Sequence, residues 1–144
     1  MSYTYDYPRP AVTVDAVIFR KIGGSWNVLL IRRGNPPFEG QWALPGGFLE
    51  MDEELEDAAM RELEEETGLK ARGLVQLHTF GKIGRDPRGR TIGVTYLGFS
   101  GEEGQQVKGG DDAAMARWFP INELPALAFD HQDVISLAKH KIHS

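Results

Sequence analysis

Residues 53–67 constrain the fold more than any other part of the chain, because this stretch contains neither glycine nor proline. Asp52 precedes it as a candidate N-terminal cap, and Gly68 follows it as a residue that readily adopts the left-handed conformation at a helix end. Acidic side chains fill its first turn, where the helix dipole favours negative charge. These features predict an α-helix over residues 53–67.

The predicted helix also holds most of the negative charge of the chain. Residues 53–66 contain eight acidic residues and a single basic one, Arg61, so their net charge is −7 while that of the whole chain is −5. The remaining residues therefore carry +2, the difference between −5 and −7. A long nucleic acid requires a broad basic face, so this distribution argues against such a partner.

Length and composition bound the other possibilities. With 144 residues, 41% of them hydrophobic, the chain fits one domain, residues 1–144, with a sizeable core. Its start, MSYTYDYPRP, does not resemble a signal peptide, and no stretch approaches the ~20 apolar residues that span a bilayer. We therefore expect a cytoplasmic protein without a membrane partner. Because the chain has no cysteine, carboxylates and histidines remain as metal ligands, and carboxylate oxygen favours Mg²⁺, Mn²⁺ or Ca²⁺.

Several acidic side chains of the predicted helix lie on or beside its apolar face. The residues that define this face are Leu55, Ala59 and Leu63. Glu66 points into the same sector and Glu62 lies at its edge, while the i+3 and i+4 spacing brings Glu65 beside them. Such carboxylates repel one another unless a cation binds between them. The pattern therefore favours a divalent metal site, with a solvated acidic face as the alternative.

Arg61 is the basic residue within this acidic helix. It lies four residues after Asp57 and four before Glu65, so its guanidinium can reach both carboxylates on the helix surface. We expect it to orient the metal-binding carboxylates by ion pairing, a role that is compatible with a simple surface ion pair.

The rest of the chain reads as strands with one further helix. The predicted strands are residues 12–19, 26–31, 74–80, 91–99 and 116–119, with a short apolar piece at 42–44. Pro45, Gly46 and Gly47 predict a tight bend followed by a loop, and residues 101–112 predict a flexible surface loop. Asp130 can cap a last helix with an apolar stripe. The order of elements predicts an α/β fold with a mixed sheet and one helix on each face.

The segment GFLEMDEELEDAAMRELEEETGL resembles the signature of the Nudix hydrolase family. That signature is a glycine, five residues, glutamate, seven residues, and then Arg-Glu-apolar-any-Glu-Glu-any-Gly-apolar. Its fixed positions are filled by Gly47, Glu53, Arg61, Glu62, Leu63, Glu65, Glu66, Gly68 and Leu69. The flanking segments LLIRRGNPPFEGQWALPGG and ARWFPINELP are similar to the same family. The resemblance implies the Nudix α/β/α sandwich and hydrolysis of a nucleoside diphosphate linked to another moiety.

The resemblance also implies roles for single residues. It assigns metal binding to Glu62, Glu65, Glu66 and the Gly47 carbonyl, with catalysis by Glu62 and Glu65 supported by Arg61 and Glu53. Many members add an acid from a loop ahead of the last strand, as metal ligand or general base. Asp112 is the candidate here and Asp111 its rival, with Glu102 and Glu103 as weaker ones, and all four can instead be turn residues.

The loop GKIGRDPRGRTIGVTY resembles the ADP-ribose pyrophosphatase branch of the family. Arginine binds phosphate bidentately, so this loop and the second strand supply candidate substrate-binding residues. These are Arg33, Arg85, Arg88 and Arg90, for which a basic solvent-facing loop is the alternative. Phe38, Phe80 and Phe129 are candidates for stacking an adenine, with the core as the alternative for each.

We therefore predict Mg²⁺-dependent conversion of ADP-ribose, a small nucleotide, to AMP and ribose 5-phosphate, with Mn²⁺ as a possible substitute. One alternative is a pyrophosphatase for oxidised nucleoside triphosphates. Another is a non-catalytic ADP-ribose sensor, which is disfavoured because the signature is intact and the chain ends at Ser144 without a winged-helix segment. Because relatives are often dimers, a homodimer is a further expectation.

Overall fold

The computed structural model describes residues 2–101 and 113–143. In these residues seven strands and two helices follow one another along the chain. They are β1 (Ala11–Ile22), β2 (Ser25–Arg33), β3 (Trp42–Ala43), β4 (Gly46–Phe48), α1 (Leu55–Thr67), β5 (Val75–Phe80), β6 (Thr91–Ser100), β7 (Ala113–Pro120) and α2 (His131–Ile142). No helix of the described ranges is long and apolar enough to cross a membrane.

Strand β1 lies at the centre of a mixed sheet. It pairs in parallel with β6 along one edge, from Ala11 to Arg20. Along the other edge it pairs in antiparallel fashion with β4 and, further on, with β2. Strands β3 and β7 extend the sheet from β2, and β5 extends it from β6.

Alternate side chains of β1 pack into two separate hydrophobic clusters. Val14, Ala16 and Ile18 pack in a cluster that includes Leu63 of α1. Val17 and Phe19 belong to a second cluster, which also contains Val134, Ile135 and Ala138 of α2. Because successive side chains of a strand point to opposite faces, the two helices cover opposite faces of the sheet. This confirms the predicted α/β class with a helix on each face.

The predicted strands are present, with ends that differ by a few residues, but strand β4 was missed. Residues Gly46–Phe48 were predicted as a bend and loop, and they pair in antiparallel fashion with Thr13–Asp15 of β1. A Cβ atom at Gly46 would collide with the side chain of Asp15 and the carbonyl oxygen of Val14. The glycine is therefore needed for the close approach of the two strands.

The N-terminal ends of the two helices differ from the predicted caps, Asp52 and Asp130. Helix α1 begins at Leu55, and its N-cap position is occupied by Glu54 without a side-chain capping hydrogen bond, so the prediction of Asp52 as the cap was wrong. Gly68 ends the helix as predicted, with φ of 77° and its N–H donating to the Glu64 carbonyl at 2.8 Å. Asp130 occupies the N-cap position of α2, but its side chain makes no capping hydrogen bond.

Candidate active site

A cavity of about 480 Å³ lies where β1, β4, the loop after β2, α1, the loop before β6 and the start of α2 meet. Most of its polar lining is charged. The charged and aromatic residues of the lining are Asp15, Arg33, Phe48, Glu50, Arg61, Glu62, Glu65, Glu66, Arg85, Asp86, Arg88, Phe129 and His131. The cavity therefore brings the predicted metal-binding carboxylates and three of the four candidate arginines to one place.

Glu66 is buried at the wall of this cavity, with 8% of its surface exposed. Its carboxylate accepts a hydrogen bond of 2.7 Å from the N–H of Gly46. Burial nevertheless raises the pKa of Glu66 to about 8, because the charged form loses hydration. The prediction that Glu66 faces the apolar side of the helix is confirmed, and the side chain lies where a cation would stabilise its charge.

Glu62 lies against β4, directly over Gly47. A Cβ atom at Gly47 would lie 2.6 Å from the Glu62 carboxyl carbon. Burial raises the pKa of Glu62, and the hydrogen bond from Arg61 opposes that shift. Glycine at position 47 is therefore what allows this carboxylate to approach the backbone of β4.

Arg61 holds several of the predicted catalytic carboxylates at once. Its guanidinium nitrogens lie 2.6 Å and 2.9 Å from the two oxygens of Glu53, 2.9 Å from Glu62 and 3.2 Å from Glu65. The hydrogen bond from Arg61 lowers the pKa of Glu53. Its partner near the helix start is Glu53, and Asp57 is not among the ion-pair partners found within the described ranges. The predicted orienting function of Arg61 thus has a geometric basis.

The donor set of this cluster suits a hard divalent cation. Carboxylate oxygens and a backbone carbonyl are the ligands that Mg²⁺ and Mn²⁺ prefer, and two of the carboxyls have raised pKa values from burial. In the part of the chain that the structure describes, no three acidic or histidine side chains are gathered tightly enough to enclose an ion. Instead, Arg61 holds Glu62 and Glu65 while Gly46 holds Glu66.

Asp15 and His131 are two buried residues of the cavity that the sequence analysis missed. Burial raises the pKa of Asp15 to about 7 and lowers that of His131 to about 4. The Nδ1 atom of His131 accepts a 3.0 Å hydrogen bond from the N–H of Leu44. A signal for Asp15 was present, because it is the single charged residue in the apolar strand segment VTVDAVIF. No comparable signal marks His131.

Arg85 lines the cavity but is largely buried in an ion pair. Its side chain is 5% exposed, and its Nε and Nη2 atoms each lie 2.9 Å from an oxygen of Asp130. Gly93 of β6 leaves room for the guanidinium, since a Cβ atom there would lie 3.0 Å from it. Arg85 therefore fastens the loop before β6 to the start of α2, and Asp130, predicted as a helix cap, is its partner.

The other candidate arginines differ in position. Arg33 and Arg88 both line the cavity, and their guanidinium carbons lie 5.0 Å and 5.3 Å from the ring centre of Phe129. Arg88 also lies 4.6 Å from the ring centre of Phe48, which is 45% exposed and was not singled out in the sequence. Arg90 is absent from the cavity lining and donates to the Gly81 carbonyl at 2.6 Å.

Of the three candidate aromatic residues, one lines the cavity and two do not. Phe129 lines the cavity and packs edge-to-face on Phe38 at 4.8 Å between ring centres. Phe38 and Phe80 pack against the first and second core cluster, respectively. The candidate general bases Asp111 and Asp112 lie outside the described residues, as do Glu102 and Glu103.

Comparison with known proteins identifies the family. Residues 9–138 match the NUDIX domain. Over 129 residues the chain is 43% identical to a protein named ADP-ribose pyrophosphatase from Methanocaldococcus jannaschii, covering 90% of this chain and 73% of that protein. It is also 37% identical to an ADPR-responsive transcriptional repressor from Acinetobacter baylyi, covering 96% of this chain but only 57% of the repressor.

Solved structures support the same assignment. The NUDIX domain of Shewanella oneidensis NrtR, solved in complex with ADP ribose, superposes with a TM-score of 0.87 at 35% identity and covers 96% of this chain and 94% of that one. A MutT/nudix family protein from Enterococcus faecalis superposes with a TM-score of 0.88 at 34% identity, and its match covers 98% of this chain and 65% of that protein. The chain therefore belongs to the Nudix family and is a pyrophosphohydrolase of that family.

Proposed function

We propose that this pyrophosphohydrolase converts ADP-ribose to AMP and ribose 5-phosphate with Mg²⁺ as cofactor. The observation that carries the proposal is the composition of one cavity, in which the carboxylates of α1 share the lining with Arg33, Arg88 and Phe129. Binding of a diphosphate requires positive groups, such as a metal ion and arginines, that neutralise its charge. Binding of a nucleoside requires an apolar surface on which the base can pack. The similarity to the Methanocaldococcus pyrophosphatase supports the same substrate.

Glu62, Glu65, Glu66 and the carbonyl of Gly47 are the groups that would hold the metal. When bound, a divalent cation withdraws charge from the phosphoryl oxygens and activates water for attack on phosphorus. Arg61 keeps Glu62 and Glu65 in place and is itself held by Glu53. In this proposal Glu62 and Glu65 are catalytic, whereas Arg61 and Glu53 are positioning residues.

The arginines on the other side of the cavity bind the substrate in this proposal. Arg88 is held by both oxygens of Asp86, at 3.1 Å and 2.8 Å, so its guanidinium has a fixed position. Arg33 lines the cavity and donates to the Pro37 carbonyl at 2.6 Å. Arg85 lines the cavity but is held by Asp130, and in this proposal it supports the fold of the site, while Arg90 lies outside the cavity lining. The general base remains Asp112, Asp111 or a carboxylate of α1.

A panel of substrates tests the proposal. The purified protein with Mg²⁺ is offered ADP-ribose, other ADP-sugars, NADH, dinucleoside polyphosphates and oxidised dGTP, and the products are identified by mass. We expect the highest kcat/KM for ADP-ribose, with AMP and ribose 5-phosphate as products. Turnover of the oxidised triphosphate without turnover of any diphosphate would instead establish the sanitising pyrophosphatase.

A second candidate function is an ADP-ribose sensor. It is favoured by the similarity to the Acinetobacter repressor and to the ADP-ribose-bound domain from Shewanella. A sensor would bind ADP-ribose in the presence of Mg²⁺ and leave it intact over hours. The intact carboxylates of α1 favour the enzyme. A cytoplasmic location, a homodimer, a single domain over residues 1–144 and replacement of Mg²⁺ by Mn²⁺ all stay predictions.

A further inference from the structure

Two buried polar residues of the cavity, Asp15 on β1 and His131 at the start of α2, have no function in the chemistry described so far. Their side chains are 9% and 5% exposed. In residues 2–101 and 113–143 the carboxylate of Asp15 receives no hydrogen bond, and it lies across from the ring of His131. Because this carboxyl group lines the cavity without a hydrogen-bond partner in the described residues, it is available to a ligand.

The two side chains face each other across a gap. Because Nδ1 of His131 accepts the N–H of Leu44, the proton of the neutral ring lies on Nε2. Nε2 lies 3.9 Å from Oδ1 of Asp15, which is too far for a direct hydrogen bond. A donor and an acceptor therefore point at the same small volume of the cavity.

The donor of His131 and the acceptor of Asp15 determine which chemical group can bind between them. Above the pKa of Asp15, where its carboxylate is ionised, the ligand must accept from Nε2–H and donate to that carboxylate. The oxygens of a phosphodiester or diphosphate carry no proton to donate, and an ammonium group has no lone pair with which to accept. A hydroxyl group does both, and so does an amino group next to a ring nitrogen. Ile31, Leu44 and Phe129 supply apolar walls around the same cavity.

We propose that Asp15 and His131 form a specificity subsite that recognises an uncharged donor–acceptor group of the substrate, either a ribose hydroxyl or the amino edge of adenine. The inference rests on the proposed function, because the carboxylates of α1 would place the diphosphate in the same cavity. The ion pair of Arg85 with Asp130 fixes the chain next to His131, which keeps the subsite rigid.

The test compares Asp15→Asn with the wild type on four ligands. They are ADP-ribose, the analogue lacking a hydroxyl on the adenosine ribose, the analogue lacking a hydroxyl on the terminal ribose, and the analogue with hypoxanthine in place of adenine. The wild type should prefer ADP-ribose over one analogue by about tenfold or more in kcat/KM. Asp15→Asn should lose about tenfold on ADP-ribose and change less than about twofold on that analogue. The affected analogue identifies the recognised group.

Controls separate recognition from folding and from metal binding. Thr95→Val is the matched control, because Thr95 is buried on β6 opposite Asp15 but is absent from the cavity lining. His131→Asn is a second variant, since its amide oxygen can accept the N–H of Leu44 while the Nε2 donor is lost. It should reduce the same preference, and Mn²⁺ affinity should be unchanged in both variants of the subsite.

Several results would overturn the subsite. These are an equal loss on all four ligands, no loss on any of them, or a loss of Mn²⁺ affinity in Asp15→Asn. The same comparison made by equilibrium binding keeps the test independent of turnover. If the wild type binds ADP-ribose with the expected preference but does not hydrolyse it, the proposed function fails and the subsite stands.

Discussion

The two sides of the cavity are built in different ways. On the side of α1, the carboxylates come from residues 62–66 of one helix and meet a glycine of the neighbouring strand. On the other side, each polar group comes from a different part of the chain: Asp15 from β1, Arg33 from β2, Arg88 from a loop and His131 from α2. The first side depends on helical spacing, whereas the second depends on the assembled fold.

The two sides also differ in how their charges are balanced. Around α1, Arg61 is shared among Glu53, Glu62 and Glu65, so negative charge exceeds positive charge. On the other side, Arg85 and Arg88 each have their own aspartate. An excess of negative charge attracts a cation, while a paired arginine is a rigid donor. This difference predicts that damage to the α1 side affects chemistry, and damage to the other side affects folding or substrate affinity.

Replacing Arg85 with alanine should have the largest effect on stability. The change leaves Asp130 without its ion-pair partner and empties a buried position, for a cost of about 3 kcal/mol. Chemical denaturation gives the free energy of unfolding, and Arg90→Ala, which removes a more exposed arginine from the same loop, should cost under about 0.5 kcal/mol. Normal stability of Arg85→Ala combined with a higher KM would show that Arg85 binds substrate instead.

Gly47→Ala tests the α1 side without touching a charge. The added methyl group would overlap the carboxyl of Glu62, which must move away from the metal site. Misplacement of this kind should lower kcat about 10²-fold, with Mn²⁺ affinity reduced as well. Gly81→Ala is the matched control, because a Cβ atom at Gly81 meets no atom within 4 Å. Equal activity of the two variants would contradict the proposed contact.

The metal-free protein should lose stability as the pH rises from 7 to 8. The raised pKa of Glu66, about 8, means that the folded state keeps a proton that the unfolded state has already released, so unfolding becomes easier with rising pH. The neighbouring Asp15, Glu62 and Arg33 contribute to this pKa. One such group changes the free energy of unfolding by at most about 1.4 kcal/mol per pH unit.

Thermal unfolding in EDTA measures this dependence. Glu66→Gln should flatten the change of Tm between pH 7 and 8, and saturating Mg²⁺ should do the same in the wild type. The pKa of His131 is about 4 in the folded protein and 6.5 when unperturbed, so this histidine changes the stability mainly between pH 4 and 6.5 and adds little between pH 7 and 8. A slope that is identical in wild type and Glu66→Gln would refute the assignment.

Arg88→Ala should have the smallest effect of these variants and should act on affinity. Loss of the guanidinium between Phe48 and Phe129 removes donors for the substrate, so we expect KM for ADP-ribose to rise about fivefold with kcat nearly unchanged. Steady-state kinetics measures both constants, with Arg32→Ala as a control, because Arg32 is exposed and absent from the cavity lining. A fall in kcat at constant KM would show instead that Arg88 takes part in the chemical step.

The difference between the two sides of the cavity also explains which features could be predicted from the sequence. Helix α1 and the inward direction of Glu66 followed from local spacing and from the absence of glycine and proline, and the structure confirms both. Strand β4 was missed because its pairing depends on contact with a strand about thirty residues earlier in the chain.

The other side of the cavity depends on tertiary contacts that no local pattern records. Arg85 and Arg88 lie three residues apart in one loop, yet one is buried in an ion pair and the other lies over two aromatic rings. Both were predicted as substrate-binding residues, because the sequence shows only that each is an arginine in the same loop. Likewise, the meeting of Asp15 with His131 depends on how the sheet and α2 pack, so neither residue could be paired with the other in advance.

The central claim is that the carboxylates of α1 form the metal site that performs hydrolysis. The direct test measures Mn²⁺ affinity by calorimetry and ADP-ribose turnover in Mg²⁺ for Glu65→Gln and for Glu64→Gln, its exposed neighbour that pairs with Lys70. We expect Glu65→Gln to lose Mn²⁺ affinity and to hydrolyse ADP-ribose about 10²- to 10³-fold more slowly, and Glu64→Gln to match the wild type. Full activity and full Mn²⁺ affinity of Glu65→Gln would contradict the claim.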